Sequence, residues 1–291
     1  MMIRWVFLFC VLAWGQFARA DDGINLDLGI QPGRVVKSTI DSAVEMAVDL
    51  KGDDKIIEMN RQRGINFPLN ISSHSKKIFT LKTGKADDNG TIPFVQKLLD
   101  SSSGSRDKDG KQISMPDPMK DFIGLGVNGA LNRKFGMRLA GITGKMLPPD
   151  QEQAVKAAFS SQLPAFSEAP VGPLKIGDSF EKHSPFALPM AGQQPMQFTL
   201  TTKYALKRIQ GKMAYFDVAL TFNKVDSMIG AKVDMTSSGS GTMEYNLDTK
   251  LQEKLSLAFE MDLKAQEGKA TVSSKMKSTT TTLQEISGEE P

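Results

Sequence analysis

One cysteine, Cys10, occurs in the whole chain, and it lies within the first twenty residues. Everything after residue 20 is therefore without thiols, which excludes disulfide staples, thiolate metal sites, cysteine nucleophiles and thiol redox chemistry. Histidine is nearly as scarce, with only His74 and His183. Two isolated histidines without cysteines do not make a zinc site, and residue type alone would have to carry any pH-sensing role. No excess of one charge is present either. Without Arg4 and Arg19 the chain carries 34 basic against 33 acidic residues, interspersed along its length. Nucleic-acid binding needs a basic patch or stripe, so nucleic acid is not an expected partner. Also missing are a phosphate loop, a dinucleotide fingerprint and a metalloprotease helix. No cofactor and no metal are expected.

One apolar run stands out, at the start. Arg4 precedes Trp5 to Trp14, and Ala18-Arg19-Ala20 places small residues where signal peptidases cut. The run is too short to span a bilayer, which takes about 20 residues. Residues 1–20 thus read as a signal peptide cleaved after Ala20, and the mature protein as periplasmic or secreted. Cys10 lacks the small residues of a lipidation site, since Phe7-Leu8-Phe9 precede it. A thiol-free exported chain of this size suits a bacterial envelope better than an animal secretory route.

Beyond residue 20 the pattern is dominated by alternation. Phe198, Leu200, Thr202, Tyr204 and Leu206 form one series, and Ala214, Phe216, Val218, Leu220 and Phe222 the next. Gly241 to Leu247 and Leu255 to Leu263 repeat it, with turn signals at Gln210-Gly211, Asn246 to Asp248 and Glu267-Gly268. Period two over such lengths predicts strands with one buried and one wetter face, joined as an antiparallel meander. Residues 270–286, rich in Ser, Thr and Lys, read as an edge strand guarded against further pairing.

The first half is less regular. Residues 34–50 fit a helix or a strand, and their β-branched content favours a strand. Further strands are predicted around Phe67 to Leu81, Ile92 to Leu98, 122–131 and 134–142. Ser101 to Lys111 reads as a mobile exposed loop. Between the halves, Pro148-Pro149-Asp150 opens a helix whose stripe is Val155, Ala158, Phe159 and Leu163, closed by Pro164. Core packing accounts for that stripe; an amphipathic lid over a sheet is the sharper alternative.

The predicted fold is mainly β: an extended, curved antiparallel sheet, half-barrel or sandwich-like, from two related units with one helix between them. The boundaries are 1–20 for the signal peptide, 21–147 and 165–288 for the two β units, 148–164 for the helix and 289–291 for a tail.

Few residues invite a chemical reading. Gly177-Asp178-Ser179-Phe180 contains the Gly-Asp-Ser phrase of one hydrolase class, but no histidine follows His183 to serve as a distant base. A strand-entry turn with Asp178 bonding local amides is the better account. The acidic pairs Asp53-Asp54, Asp87-Asp88 and Glu289-Glu290, and the group Asp107-Lys108-Asp109-Gly110, lack the ligand count of a calcium loop and read as solvated turns. Fourteen methionines, from Met46 to Met276, are scattered without clustering and read as core filler.

Ala169 to Phe180, followed by Ala187 to Met190 and the strand from Phe198, resembles a group of secreted bacterial proteins of unknown function built from two β-rich units. In that group a Pro-Val-x-x-Gly-Asp-x-aromatic phrase opens the second unit. Gly239 to Asp248 and the Thr279 to Ile286 ending resemble it too, with Phe180 where the group has tryptophan. The resemblance implies a fold and a location and no activity. In architecture alone, the expected half-barrel is similar to periplasmic carriers of lipoproteins.

A sheet with one apolar face must cover that face or use it. The expectation is a non-enzymatic exported protein that binds or carries an apolar ligand such as a lipid or acyl chain. Its apolar face would be formed by Phe198, Leu200, Tyr204, Phe216, Leu220, Phe222, Leu257, Phe259 and Met261. The alternative is an envelope module whose partner is another protein.

Overall fold

The alternating segments do form strands. The computed structural model describes residues 23–26, 31–52, 54–62, 66–113, 117, 119–132, 136–144, 147, 152, 155, 172–188, 196–224, 232–267 and 270–289. In chain order the elements are β1 (Arg34–Lys51), α1 (Asp54–Gln62), β2 (Leu69–Thr83), β3 (Thr91–Asp107), β4 (Gln112–Ile113), β5 (Gly126–Asn132) and β6 (Gly136–Thr143). They continue with β7 (Ser179–Leu188), β8 (Met196–Gln210), β9 (Met213–Lys224), β10 (Lys232–Asn246), β11 (Leu251–Glu267) and β12 (Ala270–Glu289). All twelve strands join one open antiparallel sheet in the order β6-β5-β3-β2-β1-β12-β11-β10-β9-β8-β7, with β4 paired beside β3. The signal-peptide assignment falls outside the described residues.

Two meanders, one from each half, meet where β1 pairs β12 from Arg34↔Glu289 to Lys51↔Thr271. At ~3.3 Å per residue, such a ladder runs on the order of 60 Å. The segment over 270–286 is therefore no edge strand: β12 is hydrogen-bonded to β1 on one side and β11 on the other. Its lysines are matched by partners on β11, Lys277 to Glu260 at 2.8 Å and Lys275 to Asp262 at 3.7 Å. Polar composition in a central strand reflects those cross-strand pairs rather than protection from pairing.

Residues 34–50 are strand, as their branched side chains favour. Ser101–Asp107, expected as loop, continues β3 against β2 from Ser101↔Lys77 to Asp107↔Ile71. Small hydroxyl side chains are adequate strand formers when a neighbouring ladder supplies every backbone bond. The turn after it begins at Asp107, whose Oδ1 accepts the amides of Asp109 and Lys111 at 3.0 and 2.9 Å. Asp87 does the same for Asn89 and Thr91 at 2.9 and 2.8 Å. Both turns place a glycine at positive φ, Gly90 at 73° and Gly110 at 78°. These acidic groups are Asx-turn devices, one sequence solution used twice. Asp54, expected in a loop, opens α1 near the positive helix end, and Glu58 pairs Arg61 at 3.0 Å. The expected strand over 122–131 starts late, because Lys120–Phe122 is a 3₁₀ turn.

The helix expected over 148–164 lies mostly outside the described residues. Glu152 and Val155 are helical, and Val155 is fully buried against Phe79, Leu98, Met119 and Val127. That cluster closes one flank of the sheet. The opposite flank holds Leu206, Phe216, Val218, Leu220, Met243 and Tyr245, capped by Ile24 and Leu174. Those two caps exchange both backbone hydrogen bonds, at 2.7 and 2.8 Å. Each fully buried large apolar side chain contributes about 2 kcal/mol. Two glycines in β10 shape this flank, because Cβ atoms there would press on Phe259 and Leu257: Gly239 and Gly241 let those side chains lean across the strand.

Candidate binding face

Cross-strand register assigns every inward residue to one side of the sheet. One continuous row reads Ser101, Lys77, Ile40, Thr282, Leu255, Met243, Phe216 and Leu206, from β3 to β8. The next reads Ser103, Ser75, Ser42, Thr280, Leu257, Gly241, Val218, Tyr204 and Phe180. In the one after, Val44 and Ser278 lead to Phe259, Gly239 and Leu220. Directly paired residues point the same way, so all of these share one face.

All nine residues expected to form an apolar face share this side. Phe198, Phe216, Leu220, Phe222 and Met261 are buried in packing, while Leu200, Tyr204, Leu257 and Phe259 are half-buried. Tyr204 stacks on Phe180 with ring centroids 4.9 Å apart, and Phe180 meets Phe216 edge-on at 6.4 Å. Burial there pushes the Tyr204 phenol up to about 12. Phe222 lies 5.2 Å from Phe259.

Coverage is uneven along this face. On β2, β1 and β12 most inward side chains are only half-buried: Ile71, Ile40, Val44, Met46, Val48 and Met276 among the apolar ones. Between them lie hydroxyls. Ser42 Oγ and Thr280 Oγ1 are 3.1 Å apart, Ser73 Oγ and Ser105 Oγ 2.8 Å, and Gln284 Nε2 donates to Ser38 Oγ at 3.2 Å. The centre of the sheet thus bears a half-covered strip of mixed apolar and hydroxyl character between two closed cores.

These central residues escape a reading by apolar alternation, since Ser42, Ser73, Ser75 and Thr280 interrupt it. Parity would have located them: Ser73, Ser75 and Lys77 stand six, four and two residues before Phe79 and so share its face.

The opposite face is charged and wet. Lys37 pairs Glu285 at 3.0 Å and His74 Nε2 lies 2.8 Å from Asp41 Oδ1, all four side chains well exposed. The pKa of Lys277 is raised by its hydrogen bond to Glu260, and further by the charges of Glu260, Glu45 and Asp262. Arg208 lies 4.2 Å above the Tyr215 ring.

No hydrolase constellation is assembled at the Gly-Asp-Ser phrase. Asp178 Oδ2 accepts the Lys175 amide at 2.8 Å, the expected turn. Ser179 and His183 both belong to β7, four residues apart and so about 13 Å apart along the strand. His183 Nδ1 instead meets Thr201 Oγ1 at 3.0 Å. Among the described residues, no group of three or more metal-ligating side chains gathers, and no helix is long and apolar enough to cross a membrane.

No family model matches the chain, and no curated protein is similar to it at a significant level. Among solved structures, an outer membrane channel, COG4313 from Pseudomonas putida F1, is similar over 89% of this chain and 98% of its own. Identity there is 8% and the TM-score 0.26, a likeness too slight to carry a functional argument.

Proposed function

We propose that the protein is exported, loses residues 1–20, and binds or carries an acyl chain on the half-covered face of its sheet. The observation that carries this reading is the contrast in coverage. Both flanks gather buried apolar cores, with Ile40 packed against one of them, whereas Val44, Met46, Val48, Ile71 and Met276 at the centre are half-exposed and belong to neither. Keeping contiguous apolar side chains wet forfeits roughly 25 cal/mol per Å², which a ligand would recover. Methionine suits such a surface, because its flexible thioether adapts to a mobile hydrocarbon.

Purification of the mature protein from its native host, followed by lipid extraction and mass spectrometry, tests the reading. Co-purifying acyl lipids and saturable binding of a fluorescent fatty acid are the expected results. Absence of both would sink it. Capture of a stoichiometric envelope protein in their place would favour the interaction module.

A further inference from the structure

Along the central stretches of the four middle strands, one inward-facing position carries a formal charge. On β1 these positions run Val36, Ser38, Ile40, Ser42, Val44, Met46, Val48 and Leu50, and on β12 from Val272 to Gln284. None is ionisable, and neither is any from Leu255 to Ala265 on β11. On β2, Lys77 is the exception.

Its surroundings are those of a receptor for an anion. Lys77 sits opposite Ile40 on one neighbour and Ser101 on the other, one row from Ser75 and Ser42. It is half-buried, and among the described residues its side chain forms no hydrogen bond or ion pair. Ser101 turns its hydroxyl to Asp117 Oδ2 at 2.8 Å, and Asp117 in turn holds the Met119 amide at 2.9 Å, so that carboxylate is engaged elsewhere. An ammonium on a half-covered apolar surface loses hydration without gaining a counter-ion. Neighbouring hydroxyls can donate to an oxyanion that a lone lysine attracts.

We propose that Lys77 holds the carboxylate of a single-chain fatty acid, whose tail lies across β1 and β12 toward Leu257 and Phe259 on β11. This rests on the acyl-chain reading above and specifies its headgroup. One cation matches a monoanion better than a phosphate of higher charge. From β2 to β11 the face spans three inter-strand spacings, about 14 Å, so the tail of a long acid slants along the strands rather than running straight across them.

The test uses the full mature protein with palmitic acid and, as an uncharged partner of equal length, palmityl alcohol, each competing against a fluorescent fatty acid. The acid should bind the native protein about tenfold more tightly than the alcohol. Lys77→Met should lose that preference by weakening the acid alone, and Lys77→Arg should keep it. Lys77→Gln serves if the methionine variant does not fold, with circular dichroism as the check. Equal binding of acid and alcohol by the native protein overturns the headgroup assignment and leaves the acyl-chain reading intact. So does an acid preference that survives in Lys77→Met. Failure of both probes to bind overturns the acyl-chain reading itself.

Discussion

Ser42 Oγ and Thr280 Oγ1 lie 3.1 Å apart on neighbouring strands although 238 residues separate them in sequence. The contact belongs to the seam between β1 and β12, which is the sheet's most distant pairing in sequence and its structural centre. Contacts of such separation form only after long loop-closure costs have been met.

The seam makes the C-terminal strand indispensable. Deleting residues 270–291 would strip β1 and β11 of one of their two partner strands along nearly their whole lengths. Two long bare edges would result, a direct route to aggregation. The truncated protein should lose its cooperative urea transition and pellet during expression, whereas removing only 290–291 should change neither. A soluble, cooperatively unfolding truncation would show that the halves fold without the seam.

Close approach between strands gives a sharper prediction. A Cβ on Gly241 would run into the Ser256 carbonyl oxygen and lie 2.8 Å from Leu257 Cδ2. Backbone must move to admit it, so Gly241→Ala should destabilise by about 2 kcal/mol or more. At Gly104, in β3, an added methyl group would meet nothing within 4 Å. Gly104→Ala should stay within about 0.5 kcal/mol of the native protein. Urea midpoints for the two variants decide the matter; equal effects would refute the packing argument.

How much of this was legible follows from where the information sits. Alternation in β8, β9 and β11 marks strands because residues such as Phe216, Val218 and Leu220 recur at every second position. The same rule misses Ser101–Asp107, where strand formation depends on β2 lying alongside rather than on the residues themselves. It also misplaces β12. Lysine and threonine look the same on an edge as in the middle, and only Glu260 and Asp262 on β11 reveal which applies. The nine apolar candidates do share one face, yet their side of the sheet is the better packed. The half-covered strip falls on serine-rich strands, where hydrophobic pattern is weakest and only parity with Phe79 points to it.

The charges along β12 lead to a salt-dependent prediction. Lys277 stands opposite Glu260 on β11 and Glu45 on β1, a cation between two anions. Lys277→Glu would set three carboxylates side by side, and like charges directly opposite one another repel. The variant should melt at a lower temperature than the native protein, and added salt should narrow the gap as screening grows. Lys277→Met should show a smaller loss with little salt sensitivity. A gap in Lys277→Glu that does not change with ionic strength would mean that packing, not charge, is responsible.

Tyr204 offers the clearest pH signature, because burial against Phe180 raises its pKa from 10.0 to about 12. The upward shift means that the folded protein holds this proton more tightly than the unfolded chain does. Its contribution is complete below pH 10 and is lost progressively as the pH rises toward 12, when the unfolded phenol ionises first. A shift of this size corresponds to a loss on the order of 2 kcal/mol across that window. Lysines titrate over the same range, so the decisive quantity is the difference between the native protein and Tyr204→Phe. Urea midpoints of the two should run parallel up to about pH 10 and then converge or cross, the native protein falling faster. Absorbance titration should show the late-ionising tyrosine in the native protein and its absence in the variant. Midpoints that stay parallel up to about pH 12 would place the phenol in contact with water and remove burial as the cause.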